Sequence, residues 1–187
     1  MKKLLVSAML AMLMICGCVT VSVEPDNPEI TYNENIHNGT QMWLLRHNRM
    51  WDDETGSTPS RFAFDLEMFA KNGEIEYFIM IDDYSGDKFF IDSGESLVLT
   101  VDGEQVKFKT GGAVDNTKLV ENCVVRQTAF YILSQKQLKF IAGGKKIKAE
   151  IRGYIGYAAA WLGEDNILNI QKFYDASSDI IWKAKER

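Results

Sequence analysis

Apolar residues recur at every second position through much of the chain, a period typical of a β-strand with one buried face. The clearest segment alternates between two sets of residues: Phe62, Phe64, Leu66 and Met68 on one face, and Ala63, Asp65 and Glu67 on the other. Asn72-Gly73 follows, a dipeptide that favours the two-residue type I′ turn, and residues 74–81 alternate again. The pattern therefore predicts a β-hairpin.

A second hairpin is predicted around Asp102-Gly103, since apolar positions alternate on both sides of this dipeptide. The alternating residues are Leu97, Leu99, Val101, Val106 and Phe108. Less regular apolar segments predict further strands at residues 41–48, 88–91, 120–133 and 146–155.

Two helices are predicted in the C-terminal part of the chain. Ser134 and Gln137 have the spacing of a capping box, so a short helix begins there and ends at Gly143-Gly144. A longer helix is predicted with Asp165 as its N-cap, because apolar residues then recur at helical spacing. This apolar stripe consists of Ile167, Ile170, Phe173, Tyr174 and Ile181. We expect the longer helix to pack over the sheet as a lid.

The order of these elements indicates a mainly β fold. The strands do not alternate regularly with helices, so we expect antiparallel pairing in a β-sandwich or a partly open barrel, with a short crossover helix and a C-terminal helix. The chain has 187 residues, of which 46% are hydrophobic and 25% charged, a composition that suits one globular domain. We assign this domain to residues 40–187.

The N-terminus has the three parts of a secretory signal peptide, which we assign to residues 1–17. Lys2 and Lys3 precede a mostly apolar run over residues 4–15, and small residues follow it. Twelve helical residues cover about 18 Å, which is too short for a hydrocarbon core of about 30 Å. The segment is therefore expected to be cleaved and not to remain as a membrane span.

The end of this segment, Ile15-Cys16-Gly17-Cys18, resembles the lipobox of bacterial lipoproteins. That motif has an aliphatic residue three positions before the modified cysteine and a small residue directly before it. Cys16 departs from the small or aliphatic residue usual at its position. Modification of Cys16 itself would place the bulky Ile15 next to the cleaved bond, so Cys18 is the better candidate. The alternative is an ordinary secretory signal that leaves a soluble protein.

The resemblance implies a diacylglycerol on Cys18, and hence a lipid anchor in the cell envelope. Val19 follows Cys18, whereas inner-membrane retention in proteobacterial lipoproteins usually requires aspartate there. The outer membrane is therefore favoured if the organism has two membranes. Residues 18–39 include Pro25 and Pro28 and show no sustained period, so we expect a flexible tether with a span of about 25 Å.

Charge is distributed unevenly along the chain. The net charge is −5 for the whole chain, which disfavours a general nucleic-acid binder. Residues 18–104 contain 18 acidic and 5 basic residues, whereas residues 105–187 contain 8 acidic and 14 basic ones. We expect strands of the two halves to interleave and neutralise each other. In the alternative, the basic segment that includes Lys136, Lys139, Lys145, Lys146 and Lys148 contacts anionic lipid or an acidic partner.

Signatures of catalysis or metal binding are sparse. His37 and His47 show no zinc-site spacing, and Asp92-Ser93-Gly94-Glu95-Ser96 indicates a turn and not a nucleophile elbow. After processing, Cys123 is the only free thiol, and its apolar neighbours favour a buried role. Two acidic segments resemble calcium ligands without the EF-hand spacing: Asp52-Asp53-Glu54, and Asp82, Asp83 and Asp87. We therefore assign no catalytic, metal or cofactor residue.

Of three functions considered from the sequence, we favour the first, and the other two are alternatives. The first is a lipid-anchored, non-catalytic binding or structural module of the cell envelope, with the membrane at Cys18 and a possible envelope protein as partners. The second is an envelope hydrolase that acts on glycan or peptide through carboxylates from separate strands. The third is a carrier of a small apolar ligand. Convergent carboxylates, an apolar cavity or a flat patch would favour the hydrolase, the carrier or the contact module, respectively.

The lipobox yields a direct prediction about Cys18. Cys18→Ser should abolish incorporation of a fatty-acid analogue and block lipoprotein processing, because the thiol that forms the thioether is lost. Cys16→Ser is the matched control and should leave both unchanged. Metabolic labelling followed by gel fluorography measures both variants, and labelling that survives the loss of Cys18 contradicts the assignment.

Overall fold

The computed structural model describes residues 28–35, 37, 39–84, 89, 91–110, 118–120, 124–154 and 156–185. The predicted signal peptide, Cys18 and the first part of the predicted tether lie outside these residues. The folded part consists mainly of strands, and all of its named strand pairs are antiparallel. The predicted mainly β class is therefore confirmed.

Eleven strands and two helices lie in the described residues. The strands are β1 (Glu29–Asn35), β2 (Thr40–Arg46), β3 (Arg49–Trp51), β4 (Pro59–Lys71), β5 (Glu74–Asp83), β6 (Glu95–Val101), β7 (Glu104–Lys109), β8 (Lys118–Val120), β9 (Val124–Leu133), β10 (Ile147–Arg152) and β11 (Tyr157–Leu162). The helices are the short α1 (Gln135–Ala142) and the C-terminal α2 (Glu164–Lys185).

The sheet curls but does not close. Its strand order is β7-β6-β10-β11-β3-β4-β5-β9-β8, with β2 also paired to β4 and β1 paired to β2. Thr110, just after β7, forms one isolated bridge with Tyr131 of β9. Because β7 and β9 lie near opposite ends of the strand order, this bridge requires strong curvature. Within the described residues no ladder joins the two ends, so the partly open barrel describes the architecture.

The sheet branches at β4 because the strand beside it is interrupted. β2 pairs with residues 66–70 of β4, and β3 pairs with Pro59 and Ala63 of the same strand. Between β2 and β3, His47 has a φ of 60° and breaks the extended conformation. The buried Asn48 lies at this interruption and bonds to β4. Its backbone N–H donates to Asp65 Oδ1 at 3.0 Å, and its carbonyl accepts from the Phe64 N–H at 3.0 Å.

Both helices pack into the concave side of the curled sheet. Leu138 and Ile141 of α1 and Ile170 and Phe173 of α2 belong to the same buried cluster as the inward residues of the strands. The inward set of β4 contains Phe62, Phe64, Leu66 and Met68, as predicted, and each is at most 1% exposed. The helices therefore complete one continuous core, and α2 covers the sheet as expected.

The local turn and cap signals give the predicted structures. Asn72 and Gly73 have φ angles of 52° and 83°, and Asp102 and Gly103 have 49° and 92°, as a type I′ turn requires at both central positions. The Ser134 side chain accepts from the Gln137 N–H, and the Gln137 side chain accepts from the Ser134 N–H. Two hairpin turns and the capping box are therefore confirmed.

The predicted tether over residues 18–39 is wrong for residues 29–35, which form β1. This strand pairs with β2 over its whole length, but its side chains are mostly exposed. Backbone pairing at a sheet edge does not require a strong alternation of apolar residues. For this reason the sequence pattern did not reveal β1. Tyr32 adds one side-chain contact, with its ring centroid 4.5 Å from that of Trp43.

Other element bounds also differ from the predictions. The strand predicted at residues 41–48 ends at Arg46, and in the described part of residues 88–91 only Ile91 pairs, through an isolated bridge to Gly153. The alanine-rich β11 was not predicted. The long helix begins at Glu164, so Asp165 is not its N-cap: the Gly163 N–H is instead bonded to the Asn166 side chain at 2.9 Å.

The acidic and basic halves of the chain interleave, as expected. β10 and β11 lie between β6 and β3, and β9 pairs with β5. Among the described residues, ion pairs cross between the halves and join Lys146 to Glu54, Arg152 to Asp92, and Lys107 to Glu95. These contacts are largely exposed, so each contributes little stability, and the interleaving itself is set by strand pairing.

Asn48 should be among the most sensitive polar positions of the fold. Asn48→Ala removes the side chain that bonds with Asn166 and leaves buried polar groups without partners, at a cost of about 1–3 kcal/mol. Asn33→Ala, on an exposed position of β1, is the control and should change stability by less than about 0.5 kcal/mol. Urea unfolding measures both, and equal effects would contradict the role given to Asn48.

Candidate functional site

The outward face of the curled sheet brings together the residues with the most unusual environments. We call the part of this face on β2, β4, β5 and β9 the outer face. Strand registers place its side chains in adjacent rows: Leu44, Glu67, Phe78 and Ile132 in one row, Asp65, Met80 and Phe130 in the next, and Ala63, Asp82 and Thr128 in the third. These rows place carboxylates close to aromatic rings: Glu67 is opposite Phe78, and Asp65 is in the same row as Phe130.

Three carboxylates on the outer face form what we call the acidic cluster, Asp65, Glu67 and Asp82. Asp65 and Asp82 have no exposed surface, and Glu67 is 7% exposed. Arg46 makes an ion pair with Glu67 and also approaches Met80 Sδ at 3.1 Å. Thr128 donates a hydrogen bond to Asp82. Burial of three carboxylates beside one arginine makes this the most electrostatically demanding place in the described structure.

The Asp65 carboxyl is the most perturbed member of the acidic cluster. Burial, followed by the negative charge of Asp82, raises the pKa of Asp65 to about 7, while its bond from the Asn48 N–H acts in the opposite direction. Its Oδ2 atom is buried and has no hydrogen-bond partner among the described residues. Burial also raises the pKa of Glu67, and the Arg46 charge counteracts this rise.

An apolar groove lies directly beside the acidic cluster. It has a volume of about 280 Å³ and is lined by Glu67, Phe69, Phe78, Phe130 and Ile132. The rings of Phe69 and Phe78 meet edge to face with their centroids 5.8 Å apart. Ile132 is 65% exposed and Phe130 is 37% exposed; both lie on β9, in the part of the strand that pairs with β5. We call this feature the outer groove.

Asp82 and Asp83, which resemble calcium ligands in the sequence but were not assigned as a metal site, do not lie in a turn. Both belong to β5, so their side chains point to opposite faces of the sheet. Asp83 instead makes a bidentate pair with Arg61, with distances of 2.7 and 3.1 Å. Asp87 lies outside the described residues. No group of three His, Cys, Asp or Glu side chains with the arrangement of a metal site occurs in the described part of the chain.

The second acidic segment forms a closed turn. Asp53 accepts hydrogen bonds from the backbone or side chains of Thr55, Ser57 and Thr58. The bonds from Thr55 and then Ser57 hold the pKa of Asp53 well below its usual value. The oxygens of the Asp53 carboxylate thus accept their hydrogen bonds from residues of the same loop.

The serine and histidine candidates are separated in the fold. Ser96 is buried and its Oγ lies 3.0 Å from the Tyr131 hydroxyl, whereas Ser93 is exposed in a bend. His37 lies in the β1–β2 turn, and His47 lies at the β2–β3 interruption, where its Nδ1 atom is buried without a hydrogen-bond partner in the described structure. Cys16, Cys18 and Cys123 lie outside the described residues.

The sequence did not identify the acidic cluster or the outer groove. Alternation placed Asp65 and Glu67 on a face expected to be hydrated, and nothing in the local sequence indicates that Arg46 and the strand interruption would cover them. Phe130 and Ile132 were part of a predicted strand, but strand assignment alone does not reveal which apolar positions remain exposed. Only the registers of four strands bring these residues together.

Comparisons with known proteins yield no match to a protein-family model, a curated protein or a solved structure. Any functional argument therefore depends on the geometry of this chain. In the described part, neither helix combines the length and apolar character needed to span a membrane.

The perturbed Asp65 carboxyl predicts an unusual pH dependence of stability. Its pKa is about 7 in the folded state and near 3.8 when unfolded, so the folded state retains a proton that the unfolded state releases. The free energy of unfolding should therefore decrease as pH rises from about 4 to about 7, by at most about 4 kcal/mol. Asp65→Asn should remove this decrease and be the more stable protein near neutral pH.

Denaturant unfolding across this pH range measures the effect, with Glu76→Gln as the control because Glu76 is an exposed carboxylate near the same face. The control should retain the slope of the parent protein. An Asp65→Asn variant with the parent's pH profile would contradict the assignment of the raised pKa to Asp65.

Proposed function

We propose that this protein is a lipid-anchored cell-envelope protein that acts as a non-catalytic binding module through its outer groove. The observation that carries the proposal is the exposure of Phe130 and Ile132 on the outer face of β9, in a groove that Glu67 also lines. Large apolar side chains that are grouped and exposed in this way mark interaction surfaces. Fully burying an isoleucine or phenylalanine side chain contributes about 1.5–3 kcal/mol, and Ile132 and Phe130 can contribute the part of this that corresponds to their exposed surface.

The surroundings of the outer groove favour a partner that is both apolar and cationic. Glu67 lines the groove but is paired with Arg46, so the accessible negative charge near the groove comes from the exposed carboxylates of Glu29 on β1 and Glu76 on β5. Among the described side chains of this surface, the arginine is Arg46, which is already paired with Glu67. A chain that presents lysine or arginine beside leucine-like side chains would satisfy both the apolar walls and the acidic rim.

Binding is better supported than hydrolysis. The acidic cluster has convergent carboxylates, the feature expected of a hydrolase, but Asp65 and Asp82 have no surface that a substrate could reach. A general acid must come within hydrogen-bond distance of the bond it protonates. Glu67 alone borders the outer groove, and Arg46 neutralises it.

A carrier function is also less well supported than binding to a macromolecule. The concave side of the sheet, where a small apolar ligand would lie, is filled by core residues of α1 and α2. The outer groove is open, and its volume of about 280 Å³ is at the lower limit of pockets that enclose small ligands. An open groove of this kind suits one or two side chains of a larger partner.

The cellular location in this proposal depends on the lipobox resemblance at Cys18. Ten residues separate Cys18 from Glu29, where β1 begins. As an extended chain they would reach about 35 Å, so the domain would stay close to the membrane surface. This arrangement supports a protein that binds its partner near the lipid leaflet.

A labelled peptide of alternating lysine and leucine provides a defined probe of the outer groove. It should bind the purified protein, and Ile132→Lys should weaken binding about tenfold, because the variant removes an apolar contact and adds a like charge. Leu168→Lys is the matched control, since Leu168 is 46% exposed on α2 and outside the groove. Fluorescence anisotropy measures the affinities.

A peptide of alternating glutamate and leucine tests the charge preference and should bind more weakly than the lysine peptide. Equal binding of the two peptides, or equal effects of the substitutions at positions 132 and 168, would overturn the proposed role of the outer groove.

A further inference from the structure

Three exposed lysines lie on α1 and on the segment that joins α1 to β10. Lys136 and Lys139 project from α1 one turn apart, and Lys145 precedes β10. None of the three forms an ion pair within the described residues, whereas the nearby Lys146 and Lys148 pair with Glu54 and Glu150. We call Lys136, Lys139 and Lys145 the lysine patch.

A shallow depression lies between α1 and the β6–β7 turn and includes two residues of the lysine patch. It has a volume of about 370 Å³, and its lining includes Lys136, Lys139, Phe140 and the Gly143-Gly144 segment. Phe140 is partly exposed and packs on the core cluster. The depression therefore combines an apolar floor with ammonium groups at its rim.

The one carboxylate that lines this depression is already engaged. Asp102 accepts hydrogen bonds from the Lys145 backbone N–H at 3.1 and 3.2 Å and from the Lys146 backbone N–H at 2.8 Å. These hydrogen bonds stabilise the turn, and backbone N–H groups of the same segment occupy the carboxylate oxygens of Asp102. The three ammonium groups of the lysine patch thus remain available to an external anion.

We propose that the lysine patch is a docking surface for the anionic phospholipid head groups of the membrane that holds the lipid anchor. Phosphate oxygens complement the ammonium groups, and a planar array of head groups can contact all three lysines at once. The inference rests on the anchor in the proposed function, since a lipid on Cys18 would keep the patch close to a leaflet. Docking would turn the domain so that α1 faces the membrane.

The expected strength explains why the anchor matters. Each lysine near an anionic leaflet strengthens binding about fivefold, so three provide on the order of 100-fold. A 100-fold gain in affinity is too small to hold a domain without an anchor on a membrane. A tether, however, raises the effective concentration of the domain at the membrane surface to about the millimolar range. Weak contacts then suffice to set the orientation of an anchored domain.

The test uses the lipidated protein, purified from bacterial membranes and reconstituted into vesicles of phosphatidylcholine alone or with one third phosphatidylglycerol. A water-soluble acetylating reagent and mass spectrometry report the reactivity of each lysine. Lys136, Lys139 and Lys145 should react several-fold more slowly on the anionic vesicles. Lys71 and Lys172, which are exposed elsewhere, should react equally on both and serve as internal references.

Salt and charge reversal give two further arms. Protection of the lysine patch should diminish between 0.01 M and 0.15 M salt, because the Debye length shortens from about 30 Å to about 8 Å. Amide exchange in α1 should be slower on anionic vesicles for the parent protein, and this slowing should disappear in Lys136→Glu/Lys139→Glu/Lys145→Glu. Lys71→Glu/Lys172→Glu is the matched control and should keep it.

The same mass spectra distinguish failure of the anchor from failure of docking. An N-terminal peptide without lipid would refute the anchor in the proposed function. A lipidated peptide with equal lysine reactivity on both vesicle types would overturn the docking surface and leave the anchor intact. Since the vesicles contain no other protein, protection there also excludes an acidic protein as the required occupant.

Discussion

Asn48 joins three parts of the molecule at the point where the strand beside β4 is interrupted. Its backbone binds β4 through Asp65 and Phe64, and its side chain bonds with Asn166 near the start of α2. The interruption lets β2 and β3 pair with different parts of β4, so the sheet branches at this point. The same residue then places the first turn of α2 against the branch. Branching and helix position are therefore consequences of one buried polar contact.

This contact also explains why a carboxylate lies buried on the outer face. Asp65 must stay close to β3 to accept the Asn48 N–H, and in that position it is covered and lies near Asp82. A buried charge without full compensation is costly, and protonation is the usual way to avoid this cost. The raised pKa of Asp65 is thus tied to the branch in the sheet. The outer groove lies over neighbouring residues of the same strands. The position of the carboxylate on one side of the groove therefore also depends on the branch in the sheet.

Local sequence signals predicted those features that depend on a few adjacent residues. Asn72-Gly73, Asp102-Gly103 and the Ser134/Gln137 pair each determine a turn or cap through their own backbone preferences and side-chain bonds, and all three occur as predicted. Features that depend on distant partners were missed. β1 is stabilised by pairing with β2, and β11 lies between β10 and β3 despite its three alanines. The acidic cluster and the outer groove belong to this second class, because they need the registers of four strands.

Interleaving of the two halves of the chain also determines where unneutralised charge remains. Strand pairing brings Lys146 beside Glu54 and Arg152 beside Asp92, which removes part of the charge difference between the halves. α1 is not a strand and takes no part in this exchange. Its Lys136 and Lys139 are exposed and form no ion pair within the described residues, and the carboxylate beside them, Asp102, accepts hydrogen bonds from the backbone of Lys145 and Lys146. Among the described side chains of the outer face, at β2, β4, β5 and β9, Arg46 is already paired with Glu67, and Asp65 and Asp82 remain as further carboxylates. One surface thus suits a cationic and apolar partner and the other an anionic leaflet. Contact with a leaflet through α1 would use none of the residues that line the outer groove.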